Sequence, residues 1–151
     1  MKHLSLLLCL ILLFTACAPA DPLAEASAEL GVDLSAGTLV YSTDTHGGFH
    51  GDGETILQIV IPDLRVPESS NWHPLPLSET LEQMLYHSIT DEHGHSLLPR
   101  IENGCWFFAD RHYQSTDPAD DSDLFSRHSW NFTAAVYDSD TSTLYFFRID
   151  T

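Results

Sequence analysis

Thr55-Ile56-Leu57-Gln58-Ile59-Val60-Ile61 is the stretch from which the fold is read. It is β-branched at most positions and apolar on both parities. A strand of that composition lies inside a sheet, covered on both faces or by a helix on one. Pro62 has no N–H to give to a ladder and ends it. Immediately upstream, residues 37–43 form a second strand candidate, in which Leu39 and Tyr41 alternate with Val40 and Ser42. The two candidates are joined by Thr43–Glu54, which holds four of the eight glycines, two of the nine histidines and three carboxylates.

Downstream, residues 63–77 read as irregular, with Pro67, Pro74 and Pro76 breaking any regular pattern and Trp72 packing the loop down. Ser78–Ser88 reads as a helix. Ser78 suits the N-cap, Glu79 the first turn and His87 the last. Leu77, Leu81, Met84, Leu85 and Ser88 form its inner stripe. After the polar turn Thr90–His95 come the aromatic strand 104–112, an acidic loop over 113–127, and a hairpin of strands 131–137 and 143–149 turning through Asp138–Ser142. The order β-β-α-β-β-β predicts one α+β domain over residues 35–151. In it a mostly antiparallel sheet of about five strands packs one helix on a face.

The first residues are read differently. Met1-Lys2-His3 is a short basic start, Leu4–Phe14 an apolar run, and Phe14-Thr15-Ala16-Cys17 follows with small residues before a cysteine. This is a secretory signal pattern, too short to span a membrane. It resembles the lipobox of bacterial lipoproteins, with Phe14 where leucine is usual. The resemblance implies that residues 1–16 are a signal peptide, that Cys17 is lipidated and becomes the N-terminus, and that the protein sits in the cell envelope. Its place there would be the outer face of the cytoplasmic membrane or an outer membrane. An ordinary signal peptide cut near Ala18 or Ala20 is the alternative. Residues 17–34, rich in alanine and small polar residues, are expected to be a tether, with a helical turn or two over Leu23–Leu30. The rest of the chain resembles small exported lipoproteins with aromatic strands and a glycine–histidine loop, a group from which no activity carries over.

Charge narrows the partners. The chain has 22 Asp and Glu, and its only lysine is Lys2; beyond Cys17 five arginines remain, for a net charge of −17. Such a surface repels nucleic acid and anionic headgroups, so membrane attachment rests on the lipid at Cys17. Cationic partners and divalent cations are favoured. With Cys9 in the signal and Cys17 lipidated, Cys105 has no disulfide partner.

Thr43–Glu54 is the first candidate site. In an extended chain Asp44, His46, His50, Asp52 and Glu54 share a face, a metal-site composition. A tight hairpin at Gly47-Gly48 instead separates Asp44 and His46 from His50 and Asp52. An irregular glycine loop, with Gly47, Gly48 and Phe49 meeting a ligand or partner, is the third geometry. The expected functions follow in order: a non-enzymatic binding or accessory module, a divalent-metal-binding protein, and a metal-dependent hydrolase using His46, His50 and Asp52. No cofactor beyond that cation is implied, and no catalytic residue is assigned. Cys105 lies in an aromatic strand and reads as a small hydrophobe. His112, His128, Asp110 and Asn131 are its partners by residue type only. Asp117, Asp120, Asp121 and Asp123 lack EF-hand spacing and read as a solvated loop. His93 and His95 read as an exposed turn, and the charged cluster Asp110-Arg111-His112 is expected to finish its strand with a local Asp110–Arg111 or Arg–acid pairing.

Overall fold

The strands β5 (Asn131–Asp138) and β6 (Thr143–Asp150) are apolar on both parities, and both of their faces are buried. A sheet built around them needs a layer on each side. The computed structural model, which describes residues 21–47, 51–68 and 71–151, shows that arrangement. Six strands, β1 (Thr38–Asp44), β2 (Gly53–Val60), β3 (Trp72–Pro74), β4 (Gly104–Asp110), β5 and β6, form one sheet in the order β1-β2-β6-β5-β4-β3. Every pairing is antiparallel. The sequence reading expected about five strands. The sixth is β3, three residues from the proline-rich loop, where Trp72 pairs with Phe107 and Pro74 with Cys105. Prolines in that segment stand at the sheet edge, where a missing N–H costs no ladder bond.

One face carries α1 (Pro22–Leu30). Asp21 caps it by accepting the Leu23 N–H, Pro22 stands at its first position, and Gly31 closes it at φ 65°. Ala26, Leu30, Val32 and Leu34 bury against Leu57, Ile59, Phe107, Tyr137 and Phe146. The Trp72 indole N–H donates to the Leu30 carbonyl, satisfying one of the acceptors left at the helix end. Residues 22–34, expected as part of a tether over 17–34, are therefore a layer of the domain. Residues 1–20, which include Cys17, lie outside the described residues.

The other face carries α2 (Glu79–Gln83), which runs on as a wider π-turn over Met84–Ser88. Ser78 caps it as expected, accepting the Leu81 N–H. The Ile89 N–H bonds the Met84 carbonyl, an i→i+5 step. That extra residue turns the inner stripe by one place: Leu81, Met84, Leu85 and Ile89 are buried, while Ser88, expected on the stripe, is exposed. They pack on Phe108, Phe132, Ala134, Val136 and Phe147. Among the described residues no helix is long and apolar enough to cross a membrane.

Gly104 opens β4 at φ 150°, and a Cβ there would overlap the Tyr137 carbonyl oxygen of the paired strand. Backbone on both sides leaves no flexible side chain to yield. Gly104→Ala is expected to destabilise the protein by roughly 2 kcal/mol or more, read as a lowered midpoint in urea. A midpoint equal to that of the parent would contradict this reading of the close approach.

Candidate functional site

The β1–β2 hairpin is wider than a two-residue turn. Asp44 pairs with Thr55, and the Thr45 N–H bonds the Glu54 carbonyl, so the loop spans the residues between. The tight turn at Gly47-Gly48 is thereby corrected. Gly53 lets the returning chain cross: a Cβ on it would come within 2.5 Å of the His46 backbone. Strand alternation sends Asp44 and Glu54 to opposite faces, since Asp44 registers with Thr55 while Glu54 shares parity with the buried Ile56. Asp52 and Glu54 are exposed. Gly48, Phe49 and His50 lie outside the described residues. Gly47 is exposed, and among the described residues the Thr45 carbonyl lies near its Cβ position.

His46 is engaged by carboxylates on both sides. Its Nδ1 lies 2.7 Å from Asp44 Oδ1, and its Nε2 lies 3.1 Å from Asp150 Oδ2. Asp44 also accepts the His46 backbone N–H at 2.9 Å. That N–H and the ring together hold the Asp44 carboxyl below its ordinary range. Asp150 continues the network. It accepts from Arg111 Nη1 at 2.8 Å and Arg148 Nε at 3.3 Å. Arg148 pairs with Glu29 of α1 at 3.1 Å, and Glu29 accepts the Thr133 hydroxyl at 2.6 Å. Burial works to raise the Asp150 pKa, but the hydrogen bond and charge of Arg111, with His46 and Arg148 beside it, hold it low. The cluster ties α1, the β1–β2 loop and the ends of β4, β5 and β6 together. Among the described residues no group of three or more His, Cys, Asp or Glu side chains is placed to hold a metal ion. With both His46 nitrogens engaged, Zn²⁺, Mn²⁺ or Ca²⁺ is expected to produce no melting-temperature rise that His46→Ala abolishes. A native-state ligand must raise it by mass action, so a His46-dependent rise on adding any of the three ions would restore the metal reading.

Cys105 and His112 lie at opposite ends of β4, roughly 20 Å apart at ~3.3 Å per residue, which separates the thiol from that imidazole. Burial pushes the Cys105 thiol pKa up, away from a nucleophilic thiolate. His93 and His95 stand in an exposed turn whose backbone N–H groups both bond Asp91 Oδ1.

A cleft lies instead beyond the C-terminal end of β4. Its volume is about 290 Å³, and it is lined by Asp110, His112, Gln114, Ser115, Thr116, Asp117, Asp120, Asp123, Ser126 and Arg127. The loop that builds it returns to β4 through the Pro118 carbonyl, which accepts the Asp110 N–H at 2.7 Å. Three successive short turns, Asp117 to Asp120, Asp121 to Leu124 and Asp123 to Ser126, shape its wall. Leu124 anchors the wall in the α2-side core, the Trp130 indole donates to the Leu124 carbonyl, and the Ser78 hydroxyl donates to Asp121. A segment whose composition reads as a solvated loop is thus pinned at several points.

The floor of the cleft is ionic. Asp110 is 7 % exposed, and its Oδ2 accepts from Arg127 Nη1 at 2.8 Å. Asp110 thus pairs with Arg127 and not with its neighbour Arg111, which pairs with Asp150. Burial acts to raise the Asp110 pKa, but the Arg127 hydrogen bond, the His112 N–H and the Arg127 charge outweigh it and hold it low. His112 is 5 % exposed; its Nδ1 accepts the Gln114 N–H at 3.3 Å. In the neutral ring the proton then sits on Nε2. His112 Nε2, Arg127 Nε and Arg127 Nη2 are buried and have no partner within the described chain. A buried donor left unpaired costs of order 1–3 kcal/mol. These three are the buried side-chain nitrogen and oxygen atoms without a partner among the described residues, and both residues line the cleft.

Sequence reasoning named Asp110 and His112 as partners for Cys105 by residue type and as parts of a charged strand end with Arg111, and did not single out Arg127. The available signal was a lone arginine after an acidic loop in a chain with five arginines beyond Cys17, each with many acids to choose from. Comparison with protein-family models, curated proteins and solved structures finds no match to this chain.

Proposed function

We propose that the protein is an exported lipoprotein, anchored through Cys17, that works as a binding module and not as an enzyme. Its ligand site is the cleft at Asp110, His112 and Arg127. The observation that carries the site is the set of three buried donors, on two residues that line a cleft of about 290 Å³, with no acceptor among the described residues. That volume lies at the lower end of the roughly 300–1,000 Å³ of small-molecule sites. The donors sit on a pinned scaffold, which favours recognition of a preformed shape. Reaction chemistry has less support. An oxyanion could be received there, but the Cys105 thiol is remote along β4, and among the described residues no hydroxyl of the cleft is hydrogen-bonded to His112, the Ser115 and Ser126 hydroxyls donating to the Asp117 and Asp123 carbonyls. The lipobox-like Phe14-Thr15-Ala16-Cys17 supports the anchor, and the acidic domain supports attachment by lipid instead of by headgroup contacts.

Two measurements test this. Cys17→Ser is expected to move the protein from the membrane fraction to the soluble fraction; unchanged retention rejects the anchor. For the site, the purified full chain in mild detergent is screened against polar solutes of every charge class, with hydrogen exchange read over residues 112–127. A ligand of the cleft slows exchange there and raises the melting temperature. No solute doing both rejects the cleft as the binding site.

A further inference from the structure

The two ends of the cleft ask for opposite charges. His112 and Arg127 both line it, and His112 Nε2, Arg127 Nε and Arg127 Nη2, all three donors, are buried and unpartnered among the described residues. A guanidinium presents two neighbouring N–H groups in a fork that matches a carboxylate. At the rim stand Asp117, Asp120 and Asp123. Asp117 Oδ1 accepts the Ala119 N–H and Asp120 Oδ1 the Ser122 N–H, while Asp123 Oδ1 faces the Ser126 hydroxyl at 3.5 Å. All three carboxylates are exposed.

We propose that the cleft binds a small zwitterion of the amino-acid class, its carboxylate on Arg127 and His112 and its ammonium group drawn to the acidic side of the cleft, on one of Asp117, Asp120 and Asp123. The proposal rests on the cleft being the ligand site. A simple anion fits less well. Asp110 already balances the Arg127 charge, and the rim and the chain as a whole, at −17 beyond Cys17, repel it. A simple organic cation meets the rim but leaves the three floor donors unpaired. A divalent ion held by the rim needs converging carboxylates, and no three acids or histidines of the described residues converge in that way. An ion that keeps its water shell, as Mg²⁺ does, turns water hydrogens toward the floor, donor against donor. A zwitterion brings acceptors to the donors and a cation to the acids, with no net charge to drive against the field of the protein.

The test is isothermal titration of the purified full chain in mild detergent at low salt. The probes are the proteinogenic L-amino acids one at a time, then acetate, ethylamine and CaCl₂. At least one amino acid is expected to bind one to one with a Kd below about 1 mM. Its N-acetyl derivative and its carboxamide, each lacking one charge, are expected to bind at least about tenfold more weakly. The combined variant Asp117→Asn, Asp120→Asn, Asp123→Asn changes only exposed or half-exposed side chains. It is expected to weaken the amino acid by about tenfold and to melt at the parental temperature. His112→Leu is expected to weaken the amino acid and its N-acetyl derivative alike, whereas the rim variant weakens only the form that carries the ammonium group. Equal binding of acetate and the amino acid, or binding of ethylamine or CaCl₂ alone, overturns the zwitterion while leaving the cleft as a site. If no amino acid binds and some other solute protects residues 112–127, the zwitterion fails alone. If nothing binds and nothing protects that loop, both fail.

Discussion

Arg127→Met is expected to destabilise the protein by roughly 3–5 kcal/mol, the penalty for leaving one member of a buried ion pair alone. The partner left behind is Asp110, whose side chain is 4 % exposed and which has little solvent to fall back on. Methionine keeps much of the packing of the arginine stem, so the loss reports the charge and not a cavity. Adding Asp110→Asn to Arg127→Met removes the stranded carboxylate and is expected to recover most of the loss. Urea unfolding of both variants decides it; a single variant within about 1 kcal/mol of the parent would mean that Asp110 is better solvated than its burial indicates.

The same pair predicts a pH dependence. The folded pKa of Asp110 is depressed, and so is that of Asp150. A carboxyl with a depressed folded pKa contributes stability that is fully present above its unfolded value, about 3.9. That contribution is lost as pH falls through the folded value. Acid sensitivity is therefore expected below about pH 4, and the double variant loses the part that belongs to Asp110. Parallel acid-unfolding profiles for the parent and the double variant would reject the assignment.

Leu30→Ala and Leu34→Ala are each expected to cost about 2–5 kcal/mol, as truncations in a closed core do. Leu30 is 1 % exposed and Leu34 is not exposed at all. If the segment were only a tether, both changes would stay within about 0.5 kcal/mol of the parent. The urea midpoints separate the two outcomes widely. Without α1, Leu57, Ile59, Phe107, Tyr137 and Phe146 lose their cover on one side of the sheet.

That contrast shows what was legible. Strands β2, β4, β5 and β6 announce themselves because β-branched and aromatic runs bounded by prolines, glycines and acids suit few other conformations. The second helix announces itself through the Ser78 cap and the Leu81–Met84–Leu85 stripe. The helical turns of α1 were expected over Leu23–Leu30, but its packing on the sheet was hidden by composition, since Ala24, Ala26 and Ala28 suit a spacer as well as a tightly packed face. Its signal was indirect. Residues 131–137 and 143–149 are apolar on both parities, which requires two covering layers, and Ser78–Ser88 supplies only one. Strand β3 stayed hidden because an edge strand of three residues with a proline has almost no pattern to show.

The sites divide in the same way. Asp44 and His46 are close in the chain, so their contact is local and readable, but Asp150 reaches His46 only through the β2–β6 register. That third group completes an ionic clamp on both sides of the His46 ring. Asp110 and Arg127 are brought together by a loop whose path depends on Leu124, Trp130 and Ser78. The sequence by itself determined the strand-rich α+β class, the acidic balance and the export-signal pattern, because these follow from local periodicity and composition. Only the tertiary structure decided that residues 22–34 are a layer, that His46 is engaged on both sides, and that the unpaired donors gather at Arg127. Burial and hydrogen-bond pairing between distant segments are properties of the packed chain.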